Sequence, residues 1–351
     1  MELQSLSIAF GQFTMVIAAD IGTCFHRVIV GQNSKVDTAM RAPGSLPLPP
    51  FLKRSLESRL RNFLYSDGGS ERRFLEPKGE EALVPPDSVS WRIFKNPVAL
   101  LVGGIAAVVS ELAEPRVRTG IWQHTRFHSQ PLERMRLTGL AALTTVYGPR
   151  SVSEDMIAQI VRHHQNVHGT TPAGQRYGAD DPDLLTWVHA TATFGFFQAY
   201  SRYVFQLKNE NLDSFCQEGL CAAELYGAIH APASAREMHA LFESMQQYLE
   251  PSPIVAEFLN VMQQSPILPA ILRPIQLILV RAAVDIVPLQ VKQKLGLLDN
   301  WRLRPWEFAL VRQIGRISDR TLICSNPAVQ SCLRLGLSEG YLYSSAFPSC
   351  T

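Results

Sequence analysis

Long apolar stretches with helical spacing alternate along the chain with short polar or proline-rich breaks. Apolar residues at three- and four-residue intervals predict helices over residues 96–112, 131–147, 153–168, 181–205 and 211–226. Ser153, Glu154 and Asp155 offer a hydroxyl and then carboxylates to one helix start. Asp181 and Asp183 flank Pro182 at another, where proline's missing N–H costs nothing. Beyond Glu250, prolines at 251, 253, 266, 269, 274, 288 and 305 break the chain into short helices. No alternation of strands with helices and no evenly spaced hairpins are present. The predicted fold is all-α, a single large helical domain.

The first 50 residues read as an arm ending in Pro43, Pro47, Pro49 and Pro50, which preclude a regular helix there. Residues 51–63 then set Leu52, Leu56, Leu60 and Phe63 against Lys53, Arg54, Arg59 and Arg61. That is an amphipathic helix, either a solvated surface helix or one that faces a partner or a membrane. The longest apolar run, 98–109, is short of the roughly 20 residues a transmembrane helix needs and reads as a buried core helix. The start lacks the basic region of a secretory signal, so the expected location is cytoplasmic, with peripheral membrane contact as a further option. The expected division is an arm over 1–50, an amphipathic helix and linker over 51–90, a helical core over 91–297 and a helical tail over 298–351.

Composition narrows the function. Of 351 residues, 46% are hydrophobic and only 18% charged, against about 25% in ordinary soluble proteins. A net charge of +2 argues against an electrostatic nucleic-acid binder. The six cysteines form no CxxC pair and stand at no zinc-finger spacing, so they read as thiols of a reducing compartment.

Histidine supplies the candidate chemistry. Six of nine fall between His124 and His189. His164 shares a helical face with Ile157, Ile160 and Val161, which predicts an inward imidazole. His168 continues that side if the helix does. His164 and His168 stand four apart, a spacing zinc sites use, but no glutamate lies between them in the zincin position. An inward His is either a satisfied core residue or a metal ligand. Arg134 and Thr138 share one face of the 131–147 helix, and an inward arginine there needs an anionic partner.

Four ordered motifs then stand out: residues 128–138 (H-S-x-P-L-x-R-x-R-x-T), Val146-Tyr147-Gly148, residues 164–169 (H-x-x-V-x-G) and residues 177–190 (Y-x-A-x-D-P-x-L-L-x-W-V-H-A). Together they resemble the MpaB-type and rubber-oxygenase family, which includes latex-clearing proteins, across residues 91–297. The resemblance implies a globin-like helical core, haem b as cofactor, and dioxygen with a small apolar, olefinic substrate as partners. It implies that His164 is the iron ligand, with His189 as second choice. It also implies that Arg134 and Thr138 flank the haem, that His168 is a haem-edge neighbour, and that Trp187 and His189 line the pocket.

Two departures accompany it. The distal lysine of latex-clearing proteins is Leu137 here, and the acid used as base in rubber cleavage falls near Arg118, with Glu114 the nearest carboxylate. His124, His128 and Glu133 are the other groups nearby that could handle protons. The readings left open are a haem-dependent oxygenase, a haem carrier, sensor or peroxidase-like protein, and a helical interaction protein without cofactor.

Overall fold

A computed structural model describes residues 44–46, 49–65, 71–125, 127 and 129–344. The 1–43 stretch of the arm and His128 lie outside them. The helices are α1 (Pro50–Leu64), α2 (Val89–Phe94), α3 (Pro97–Glu111), α4 (Pro115–His124), α5 (Pro131–Tyr147), α6 (Arg150–His164), α7 (Pro182–Tyr203) and α8 (Asn209–Tyr226). They continue as α9 (Ala235–Met245), α10 (Pro253–Gln264), α11 (Arg273–Ile286), α12 (Leu289–Leu295), α13 (Pro305–Arg320), α14 (Pro327–Arg334) and α15 (Tyr341–Ser344). Strands β1 (His168–Thr170) and β2 (Arg176–Gly178) form one antiparallel hairpin, with His168 opposite Gly178. The all-α single domain expected from the sequence is what the chain forms.

Helices α3 and α7 cross at the centre. Glycine permits their approach: a Cβ on Gly103 would stand 2.8 Å from the Phe196 Cα, and one on Gly195 would stand 2.5 Å from the Gly103 carbonyl oxygen. Both helices are capped as the sequence suggests. Asn96 Oδ1 accepts from the amides of Val98 and Ala99, and Asp181 Oδ1 from those of Asp183 and Leu184. The 98–109 run is buried in this seam as a core helix. Among the described residues, no single helix is long and apolar enough to cross a membrane.

Helices α5 and α6 form an antiparallel hairpin about Gly148 and Pro149. The chain turns at Pro149, so α6 begins at Arg150, a turn earlier than predicted. Ser153 is therefore inside the helix and no cap; its hydroxyl donates to the Thr144 carbonyl at 2.8 Å. At its far end α6 stops at His164. The Ala179 amide pairs with the Val167 carbonyl at 2.8 Å, and this hairpin pairing draws residues 167–170 out of the helix. His168 accordingly lies on β1 and not one turn further along α6.

The segment expected as a tail is stitched into the core. Gly315 of α13 meets the Tyr203 carbonyl, and Asn96 Nδ2 donates to the Gly315 carbonyl at 2.9 Å. The buried Lys95 ammonium lies 3.1 Å from Asp319 of α13. Arg334 of α14 donates to the carbonyls of Phe74, Glu80 and Tyr147. Helix α1 turns Leu60 and Leu64 toward the core.

Candidate active site

The αα-hairpin sets the site. Helices α5 and α6 run antiparallel from one corner, so Arg134 at the start of α5 comes opposite His164 at the end of α6. Burial, then the neighbouring His163 and then the Arg134 charge hold the His164 pKa below its ordinary value; Asp180 opposes them. His164 is half-buried, and its Nδ1 is buried with no hydrogen-bond partner among the described residues. A buried imidazole nitrogen without a partner is uncommon and calls for an explanation.

The third member is one that sequence reasoning missed. Glu111 ends α3 and is buried. Burial pushes its carboxyl up to about 7, against the opposing pull of the Arg134 charge and a hydrogen bond with Thr191. Thr191 is itself buried on α7, its hydroxyl donating to the carbonyls of Trp187 and Val188. Glu111 thus stands in the α3–α7 seam with Arg134 beside it. The available signal was that a lone acid finishing an apolar core helix must be buried with it. Glu114, the nearest acid to the expected position, instead caps α4 through the Val117 amide at 2.8 Å and pairs with Arg116 at 2.7 Å.

The other predicted residues are spread more widely. Arg134 and Thr138 are exposed on α5 as whole residues, yet burial of the Arg134 charge lowers its pKa against the pull of Glu111; the Thr138 hydroxyl donates to the Arg134 carbonyl at 2.9 Å. The buried arginine of this helix is Arg136, held by Glu133 at 2.6 Å and by the Leu64 carbonyl at 3.1 Å. That pairing commits Glu133. Leu137 is 45% exposed beside them. His168 turns away from His164; it is exposed, with Nε2 2.6 Å from the Gln165 carbonyl and Nδ1 3.8 Å from Asp180. His124 hydrogen-bonds the Tyr177 hydroxyl at 3.1 Å.

His189 and Trp187 belong to α7. The His189 ring lies against Gly219 of α8, where a Cβ would come within 3.3 Å, and its Nε2 is 3.4 Å from the Thr193 hydroxyl. Burial lowers its pKa to about 4, so it is neutral. Trp187 is fully buried, edge-on to Phe242 at 5.0 Å, and its Nε1 has no partner among the described residues.

No group of three or more His, Cys, Asp or Glu among the described residues could hold a metal on side chains alone. The centre offers a metal one neutral imidazole, with a guanidinium nearby. That donor set would suit haem, whose iron His164 would hold and whose carboxylates Arg134 would meet.

The domain is all-helical, with a neutral imidazole and a buried, protonatable acid both under the influence of one guanidinium. The catalytic domain of the ER-bound oxygenase mpaB/B'/rubber oxygenase family matches residues 91–317, well over half the chain, and the protein belongs to that family. The match extends into α13, past the boundary expected at 297. The chain therefore carries an oxygenase catalytic domain, with a substrate and dioxygen as its partners. No curated protein and no solved structure matches it.

Proposed function

We propose that the protein is a haem-dependent oxygenase that cleaves a carbon–carbon double bond in an apolar, isoprenoid- or lipid-like substrate. One observation carries the reading: the buried Nδ1 of His164 has no hydrogen-bond partner among the described residues, and the charge of Arg134 acts both on this imidazole and on Glu111, a carboxyl raised to about 7. His164 is the residue to hold the iron of haem b, and Arg134 the residue to meet a haem carboxylate. Haem, when bound, supplies the redox chemistry that activates dioxygen.

The chain's own groups do the rest. Burial and the adjacent positive charge keep His164 neutral, the form that ligates a metal. Glu111, with a pKa of about 7, both holds and releases a proton at its carboxyl oxygen at neutral pH. It occupies the role that the missing acid near Arg118 leaves open. Leu137 puts an apolar side chain beside Thr138, which suits an apolar substrate and offers no competing ligand.

The test is incubation of the haem-loaded protein with isoprenoids under dioxygen, with trapping of carbonyl products. Aldehyde or ketone ends are expected, and Glu111→Gln slows their formation about a hundredfold or more. Absence of product over a broad panel of olefins contradicts the reading.

A further inference from the structure

The amphipathic helix α1 is not the surface best suited to a membrane, because Leu60 and Leu64 face the core. A different corner is. Arg202 at the end of α7 pairs with Asp285 of α11 at 2.6 Å and lies over the Phe308 ring of α13. Lys292 of α12 donates to the Asp285 carbonyl at 2.9 Å, and Arg281 of α11 pairs with Glu307 of α13. These contacts draw α12 and the start of α13 to one end of the molecule.

That end presents large apolar groups outward. Leu289 opens α12 and is 58% exposed, Leu298 lies in the following turn at 45%, and Trp306 opens α13 at 55%. The acids Asp285 and Glu307 are consumed by arginines. Lys294, Arg302 and Arg304 are exposed and make no ion pair among the described residues, and the one exposed acid between 289 and 306 is Asp299. Exposed leucines and a tryptophan ringed by free cations combine apolar insertion with attraction to a negative surface.

We infer that the α12–α13 corner docks the protein on an anionic phospholipid surface. Leu289, Leu298 and Trp306 enter the interface, and Lys294, Arg302 and Arg304 hold the headgroups. This holds whether or not the oxygenase reading does.

The experiment is co-sedimentation of the full chain with phosphatidylcholine vesicles, with and without about a third phosphatidylserine. Binding is expected to anionic vesicles only and to fall as salt is raised. At about fivefold per basic residue near the surface, Arg302→Gln with Arg304→Gln lowers the partition coefficient about twenty-fold. Trp306→Ser with Leu289→Ser removes binding while circular dichroism stays unchanged. The inference is overturned if neither vesicle binds the protein, if neutral vesicles bind it equally, or if both variants bind as the parent does. It is also overturned if the parent is a dimer that Trp306→Ser converts to a monomer, since the patch then joins two copies.

Discussion

Arg134, at the start of α5, acts on His164 at the end of α6: burial first, then His163, then the Arg134 charge hold the imidazole pKa below its ordinary value. The same guanidinium pulls against the burial that raises the Glu111 carboxyl to about 7. One cation thus acts on both the candidate ligand and the candidate acid, reinforcing the effect of burial at His164 and opposing it at Glu111.

Glu111 makes stability depend on pH in a definite direction. Its folded pKa of about 7 lies above the ordinary 4.5, so folding favours the protonated form. That contribution is complete below about 4.5 and is lost as pH rises through 7. Between pH 4.5 and pH 8 the parent should lose up to about 3 kcal/mol relative to Glu111→Gln, as read from urea unfolding at each pH. Equal pH slopes for the two proteins contradict the assignment.

Arg136 and Arg134 are two residues apart and should behave oppositely. Arg136→Ala strands the Leu64 carbonyl and Glu133, and about 2–3 kcal/mol of stability is expected to go. Arg134→Ala, exposed on α5 but with its charge acting on Glu111, should cost less stability than Arg136→Ala while affecting cofactor retention. Thermal melts of the two variants decide this.

The glycines of the α3–α7 seam have no room to grow. Gly103→Ala or Gly195→Ala forces the helix backbones apart, because each new Cβ would meet backbone closer than 3 Å. A loss of about 1–3 kcal/mol is expected for each, measured by denaturant midpoint. Gly139→Ala, whose Cβ would meet nothing within 4 Å, is the matched control on α5 and should be neutral or stabilising.

Helical periodicity made most of the fold legible, because each long helix buries a continuous apolar stripe. Residues 181–205 and 96–112 were bounded to within about two residues by caps that the side chains Asp181 and Asn96 provide. The end of α6 was not legible. Its sequence stays compatible with helix through His168, and the hairpin partner of His168, Gly178, lies ten residues further on. That a second arginine of α5 is buried was not legible either: Arg136 lies two positions from Arg134, and the Leu64 carbonyl that receives it arrives from α1. Glu111 escaped notice because the acid was sought at a fixed distance before Arg134, whereas the fold brings it in along α3.

The central claim is that His164 carries the haem iron, and one spectrum tests it directly. The parent protein, reconstituted with haem b and freed of excess by gel filtration, should show a Soret band. His164→Ala should lose it, while His168→Ala keeps it, because His168 is turned toward Gln165 and Asp180. His189→Ala should also keep it, because His189 is packed against Gly219. A parent protein that takes up no haem, or a His164→Ala variant that keeps an unaltered Soret band while His189→Ala loses it, would contradict the account.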